Sequence, residues 1–464
     1  MESGKEAEVL ATLIQELGTD IVTPGADVAP RYFTGHGEAP GARPLALARP
    51  RTVEEVSLVL RVCHRLDVAV VPQGGMTGLA GGAVPLGGEI VLSMERCSGI
   101  EEVDSAASTV TVKAGTVLQT VQEAVCAAGF ELGYDLGARG SCQIGGNLAT
   151  NAGGNRAIRF GVVRDQVLGL EAVLADGTVV SSLNKMLKNN AGYDWKHLLI
   201  GSEGTLGVIT RAVLKLYPAL PSATTCLCVV PDYSSVVALW QQVRAQLPDA
   251  SSFEVMWPDF YRYVSANTPN VGAPLQAQQA FYVLIECATA SRDEKASAAR
   301  LESCLGEWFE AGLVGDAVLA TSLQQAQELW QIREGLAIDE LPNLINYDVS
   351  LPIGVMGDFA ERCAKALRLR WPQAVSLFFG HLGDSNVHIG VSVDPLRAGG
   401  AHEIDEVVYE VVLDMMGSVS AEHGIGTHKK AFLGYSRSPE ELELMRAIKR
   451  TLDPKGILNP GKVL

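Results

Sequence analysis

The sequence predicts an α+β protein: two folded parts followed by a helical C-terminal segment. Three observations carry that expectation. Up to Tyr217, short β-branched runs alternate with helically spaced apolar residues, and many of the 48 glycines in 464 residues punctuate them. Beyond Tyr217-Pro218 the helical stretches lengthen and alternate with strands such as Gln279–Glu286, the texture of an antiparallel sheet covered by helices. From Pro439 to Arg450 a charged helical pattern leads into Leu452-Asp453-Pro454-Lys455-Gly456-Ile457-Leu458-Asn459-Pro460. The boundaries expected are 1–217, 218–435 and 436–464, because a chain of this length exceeds one ordinary domain.

Each element has its own local signal. Val9, Leu10, Leu13, Ile14 and Leu17 share one face of an N-terminal helix, and Val53–Cys63 has the same spacing. Val68–Val71 reads as a buried strand ending at Pro72, and Glu89–Ser93 as another. Thr109–Ala114 alternates as a half-buried strand does, and a helix follows from Val117 to Ala128. Asp176-Gly177 between Gly169–Leu174 and Thr178–Val180 is the strongest hairpin signal in the chain. Helices are expected over Ser234–Gln246, Ser291–Ala311 and Leu323–Leu336. The sequence has no internal repeat.

Composition bounds the partners. With 47% hydrophobic and 19% charged residues, the chain can bury a large core. Its net charge of -16 repels phosphate backbones and anionic lipid, which argues against nucleic acid and membrane surfaces as partners. No apolar run is long enough for a transmembrane helix. The N-terminus has no basic segment followed by an apolar one, and the nine cysteines are scattered without a CxxC pair. Together these features predict reduced, mostly buried thiols and a cytoplasmic protein. An anionic substrate would need a local basic or metal site to offset the acidic surface.

The nucleotide-binding signals are unusual. GxGxxG is absent, so a Rossmann domain is unsupported, and the Walker-like Gly456–Lys462 run has Val463 where a Ser or Thr is required. Two other clusters suit a pyrophosphate, because their backbone N–H groups converge with no side chain in the way. The first, Pro72-Gln73-Gly74-Gly75-Met76-Thr77-Gly78-Leu79, follows a buried strand, and the second spans Gly145 to Gly154. Gly201–Gly207 is a third, which makes a set of mere tight turns less plausible than for any one cluster alone.

Five of the eight histidines fall between His381 and His428. His381 leaves an apolar strand, Gly383-Asp384-Ser385-Asn386 turns, and His388 returns on a second strand beside it. Glu422 and His423 precede another glycine turn, while His402 and His428 sit in polar surroundings that suit a solvated surface. Two imidazoles and a carboxylate suit zinc or another divalent metal with positions open to substrate oxygens. A lone histidine beside an apolar strand is more often a satisfied core residue, and the residues alone leave both readings open.

Long motifs tip the balance. In chain order, PQGGMTGLAGGAVP, DLGARGSCQIGGNLATNAGG and IGSEGTLGVIT resemble the flavin-binding signature of the vanillyl-alcohol-oxidase-type flavoproteins. GHLGDSNVHIGV and SAEHGIGTHKK are similar to its D-2-hydroxy-acid dehydrogenase branch, and above all to the D-2-hydroxyglutarate dehydrogenases, as are LGYSR and LDPKGILNP. The similarity runs from Arg49 to Leu464. It implies a two-part FAD-binding domain, an antiparallel-sheet substrate (cap) domain, and a C-terminal segment returning to the flavin. Gln73 to Leu79 would hold the pyrophosphate, with Pro72 opening the loop. Asp135, Leu136, Ser141, Gly145, Gly146, Asn147, Gly153, Ile209 and Asn459 would line the rest of the cofactor. Some relatives tether flavin through a His or Cys in the first loop; residues 72–79 contain neither, so the flavin is expected to be non-covalent.

The resemblance further implies His381, His388 and Glu422 as metal ligands and His423 as the base. His423 would take the hydroxyl proton of a small D-2-hydroxy acid while the alpha hydrogen leaves as hydride to FAD, giving a 2-oxo acid. The electrons would pass to an electron-transfer flavoprotein or a quinone-type acceptor, and a homodimer is an open expectation. In the D-2-hydroxyglutarate enzymes the distal carboxylate meets an Arg, a Thr four residues later and a Lys before a Tyr-Asp pair. This chain keeps Arg333 but has Ala337, and Asn346 before Tyr347-Asp348; Gly390 replaces an Asn two residues after His388. Losing a cation and two polar donors weakens carboxylate recognition by roughly a few kcal/mol. D-2-hydroxyglutarate leads the expected substrates, with D-lactate or another D-2-hydroxy acid as the competitor. A flavin oxidase using oxygen, and a flavoprotein reductase sharing only the first domain, are the other readings.

Overall fold

The computed structural model describes residues 2–37, 39–220, 222–268, 272–289, 294–397 and 399–464. Two compact units emerge. Met1–Gly154, Phe160–Ala219 and Glu422–Leu464 form the first, and Asn155–Arg159 with Leu220–Ala421 the second. Residues 422–435, expected with the second part, belong to the first unit. Their backbone is tied there: Thr427 N–H donates to the Ala80 carbonyl and Val463 N–H to that of Gly426, both at 2.9 Å.

In the first unit a small sheet runs in the order Val22–Pro24, Ala46–Ala48, Ile90–Ser93, Val70–Gln73, parallel after its first pair. Pro72 is tolerated because Val70–Gln73 is the edge strand, where its missing N–H breaks no ladder. The helix Val53–Leu66 starts where Thr52 accepts the Glu55 N–H and ends at Asp67 in the left-handed region. A second, antiparallel sheet orders Ile100–Asp104, Thr109–Lys113, Val208–Pro218, Val167–Val173 and Val179–Ser182. The Asp176-Gly177 turn joins its last two strands, with Gly177 at a φ of 86°. Thr109–Lys113 does not alternate in burial as expected: its first four residues are all buried, so both faces of this strand are covered.

In the second unit every pairing is antiparallel. The order is Asp316–Leu319, Ser222–Val230, Phe281–Thr289, Ala250–Met256, Val375–His381, Asn386–Ser392, Ile345–Ser350. Helices Tyr233–Gln246, Glu294–Glu310 and Leu323–Glu334 match expectations, except that Ser291 to Asp293 lie outside the described residues. The Leu323–Glu334 helix stops at Gly335, which takes the left-handed φ of 67° that ends a helix and leaves no room for a side chain: a Cβ there would meet the Phe260 ring at 2.6 Å. The C-terminal helix Pro439–Leu452 carries a Ser438–Glu441 capping box.

Candidate active site

The first unit holds a cavity of about 350 Å³ walled by its glycine segments. Of the residues expected at a cofactor, Pro72 to Leu79, Leu136, Gly145, Gly146, Asn147, Gly153 and Ile209 line it. Asp135, Ser141 and Asn459 do not. The Asp135 carboxylate instead accepts Leu136 N–H at 2.9 Å and pairs with Arg139, and Ser141 Oγ turns back toward the Ala138 carbonyl. Asn459 is buried behind the wall, donating from Nδ2 to the carbonyls of Gly82 at 2.9 Å and Glu203 at 2.7 Å.

Steric crowding explains the glycines. A Cβ at Gly75 would lie 2.0 Å from the Ser141 carbonyl oxygen, and one at Gly145 2.7 Å from Ala114 Cβ, so these positions must be bare for the segments to approach. At Gly78 and Gly146 nothing lies within 4 Å of a Cβ, so both open onto free space along the wall. The buried Oε1 of Gln143, another lining residue, finds no donor among the described residues. Bare backbone, free space and an unanswered acceptor fit a bound FAD.

Glu422 and His423 line the same cavity. Glu422 Oε1 accepts the Gly154 N–H at 2.9 Å, and a Cβ at Gly153 would strike that oxygen at 2.1 Å. Glu203, on which the sequence drew no attention beyond its glycine neighbours, also lines the cavity. Burial pushes its carboxyl up from the ordinary value, against two backbone N–H groups and Lys429, which pull it down.

The second unit carries a polar face on its sheet. The registers Glu254↔His381, Phe379↔His388 and Asp348↔His388 place these side chains on one side of neighbouring strands. The His381 and His388 rings stand edge to face with centroids 5.1 Å apart. His381 Nδ1 lies 2.8 Å from Glu254 Oε1, and His388 Nδ1 lies 3.9 Å from Asp348 Oδ1. An imidazole held by a carboxylate on one nitrogen, as His381 is by Glu254, offers the other to a metal, and with His388 beside it the donor chemistry of the pair fits a divalent ion.

Arg333, the residue kept from the expected carboxylate contacts, is buried and packs over the Phe379 ring at 4.9 Å. Its Nε donates to Glu254 Oε2 at 2.6 Å, and Nη2 reaches the same oxygen. Among the described residues its Nη1 makes no hydrogen bond. Burial pushes the Glu254 carboxyl up, but the charges and hydrogen bonds of Arg333 and His381 outweigh it and hold the group below its ordinary value. Asn346 is exposed and shares its register with Gly390. Ala337 is buried on the 3₁₀ turn after Gly335.

Comparison with known proteins assigns the family. An FAD binding domain model matches residues 44–182, and a model of the FAD linked oxidases, C-terminal domain, matches 220–463. The mitochondrial D-2-hydroxyglutarate dehydrogenase of Bos taurus is 42% identical over 422 residues, 90% of this chain and 76% of that protein. The chain is an FAD-linked oxidase of the D-2-hydroxyglutarate dehydrogenase family. A putative mitochondrial D-lactate dehydrogenase of Schizosaccharomyces pombe is 37% identical over 458 residues, 96% of this chain and 86% of that one. Substrate-bound p-cresol methylhydroxylase shares the fold, with a TM-score of 0.76 at 16% identity, covering 99% of this chain and 97% of that structure. The α+β fold and the flavin expected from the motifs are therefore those of this FAD-linked oxidase.

Two residues of this oxidase escaped the sequence. Glu254 sits in an apolar strand, Ala250–Met256, where a lone buried carboxylate is the only signal and its partners lie 79 and 127 positions away. Glu203 stands between glycines that drew attention to the backbone, although an acid within Gly-Ser-Glu-Gly was the available signal.

Proposed function

We propose that this FAD-linked oxidase converts a D-2-hydroxy acid to the 2-oxo acid, with His423 as the base and D-2-hydroxyglutarate the leading substrate. One observation carries the reading: His423 and Glu422 line the same glycine-walled cavity as the segments that suit the flavin. His423 takes the hydroxyl proton on an imidazole nitrogen. FAD, when bound, supplies the two-electron acceptor for the alpha hydrogen, which leaves as hydride. Electrons then pass to a second acceptor, an electron-transfer flavoprotein or a quinone.

His381 and His388, with Glu422 as third donor, would hold a divalent ion, which supplies a positive anchor for the substrate hydroxyl and carboxylate. Glu254 orients His381 and keeps its Nδ1 occupied. Arg333 offers Nη1 to a distal carboxylate, which favours a diacid, whereas Ala337, Gly390 and the exposed Asn346 favour a shorter or less charged tail such as that of D-lactate. Residues 72–79 contain no His or Cys to tether the flavin, so the yellow colour should leave the protein on acid precipitation.

The test is an anaerobic titration of the purified yellow protein with paired D- and L-2-hydroxy acids, followed in the visible spectrum. Bleaching by D-acids alone, lost on treatment with a chelator and restored by zinc, is the expected result. Bleaching by neither enantiomer sinks the reading, and the ranking of D-2-hydroxyglutarate against D-lactate decides the tail.

A further inference from the structure

We propose that Glu203 is a positioning residue that fixes the Glu422–Gly426 loop on the cavity wall and thereby sets where His423 stands. The proposal rests on the reading of His423 as the base and adds to it the device that holds the base in place.

Glu203 bonds to three separate segments of the first unit. Its carboxylate accepts the N–H of Ile425 on Oε1 at 2.7 Å and the N–H of Gly426 on Oε2 at 2.9 Å. Its own N–H donates to the Ala149 carbonyl at 2.8 Å, on the helix Ile144–Thr150. Its carbonyl accepts Asn459 Nδ2 at 2.7 Å, and that same amide nitrogen donates to the Gly82 carbonyl. One residue therefore links the second glycine segment, the C-terminal return and the histidine-bearing loop.

The loop has no freedom to be held another way. Gly424 and Gly426 have φ of +80° and +51°, and Glu203 itself has a φ of 52°. A Cβ on Gly424 would lie 2.8 Å from Glu203 Oε1, and one on Gly426 would lie 1.8 Å from the Ala80 carbonyl oxygen. Both glycines are needed so that the backbone can close on the carboxylate and on the first glycine segment. The Ile425 and Gly426 N–H groups have no helix or strand to answer them, so the carboxylate is what pairs them.

A bland alternative is a carboxylate that merely stabilises the fold. Against it, the side chain lines the cavity, where desolvating a charge is costly, and burial pushes its carboxyl up. Proteins keep such costly groups where geometry at a site requires them.

The experiment compares Glu203→Gln, Glu203→Ala and His423→Asn in the full-length, flavin-loaded protein. Anaerobic stopped-flow with a D-2-hydroxy acid that bleaches the wild type gives the reduction rate at saturation and the half-saturating concentration. Hydrogen exchange of the peptide spanning 419–429 is read in the same samples. Glu203→Ala should keep its FAD and its half-saturating concentration within roughly threefold, yet reduce flavin about 100-fold more slowly, as misplacement of a reacting group does. Loop exchange should quicken in parallel. Glu203→Gln, which keeps one acceptor, should recover part of both effects. Wild-type reduction in Glu203→Ala, unchanged loop exchange, or loss of FAD in both Glu203 variants alike would overturn the proposal. Rapid bleaching of His423→Asn would instead refute the base assignment, and loop exchange alone would then judge Glu203.

Discussion

Arg333 Nε donates to Glu254 Oε2 at 2.6 Å inside the second unit, with both side chains buried and His381 bonded to the other oxygen of the same carboxylate. A cation, an acid and an imidazole thus satisfy one another away from water. The arrangement is stable only as a set, because two charges taken from water are compensated by each other and by their hydrogen bonds.

Removing one member should therefore cost more than removing two. Arg333→Met leaves the Glu254 carboxylate buried without its main partner, and a loss of about 3–5 kcal/mol is expected. The double variant Arg333→Met with Glu254→Met should regain most of that loss, since neither charge remains. Thermal melting of the wild type, both single variants and the double variant forms the cycle. Additive losses would show that the two side chains act independently.

The cavity wall makes a second expectation. Gly146 lies on a helix with open space where a Cβ would stand, so Gly146→Leu is tolerated by the fold and fills the cavity. The variant should purify colourless, with an unchanged far-ultraviolet circular dichroism spectrum and a wild-type melting transition in the apo form. A yellow Gly146→Leu protein with the usual ratio of visible to ultraviolet absorbance would move the flavin elsewhere.

Much of this was legible in the sequence because the signals are local. Asp176-Gly177 and the glycine runs around Gly75 and Gly145 each declare a backbone geometry within a few residues. His381 and His388 could be paired because one short turn joins their strands. Arg333 and Glu254 could not, since two strands and two helices lie between their positions in the chain and they meet only once these have packed. The 422–435 segment, expected with the second part, lies in the first unit. Its attachment to Ala80 and Glu203 consists of backbone N–H groups, which carry no side-chain signature. Glycine density marked where backbone approaches backbone, but not which carboxylate would answer it.

Thiol chemistry offers a direct probe of the burial pattern. Cys126 is exposed, whereas Cys63, Cys97, Cys142, Cys226, Cys228, Cys287, Cys304 and Cys363 are buried, and none forms a disulfide among the described residues. Burial also pushes the thiol of Cys63 up to about 12 and that of Cys97 up to about 11, so neither carries useful thiolate at neutral pH. Ellman's reagent should modify one thiol quickly in the native protein and the remainder only after denaturation. Cys126→Ser should abolish the fast phase; a fast phase that persists would mean that a core cysteine is reached.

The acid limb of stability should carry the mark of Glu171. Its carboxylate accepts from Arg211 Nε at 2.8 Å, pairs with Nη2 of the same guanidinium at 2.5 Å, and accepts Thr210 Oγ1 at 2.8 Å. Burial pushes the group up, yet the Arg211 and Thr210 hydrogen bonds and the Arg211 charge prevail and hold it below its ordinary value. A carboxyl depressed in the folded state stabilises the fold above its unfolded value, about 4.3, and that contribution disappears as pH falls through the folded value. Glu171→Gln should thus melt lower than wild type at pH 7, by the equivalent of about 1–3 kcal/mol for a charge-assisted bond. The gap should narrow steadily below pH 5, because the wild type protonates Glu171 and the glutamine variant has nothing to titrate. Melting temperatures of both proteins from pH 7 down to the acid transition test this, and a gap independent of pH would assign the loss to shape rather than to charge.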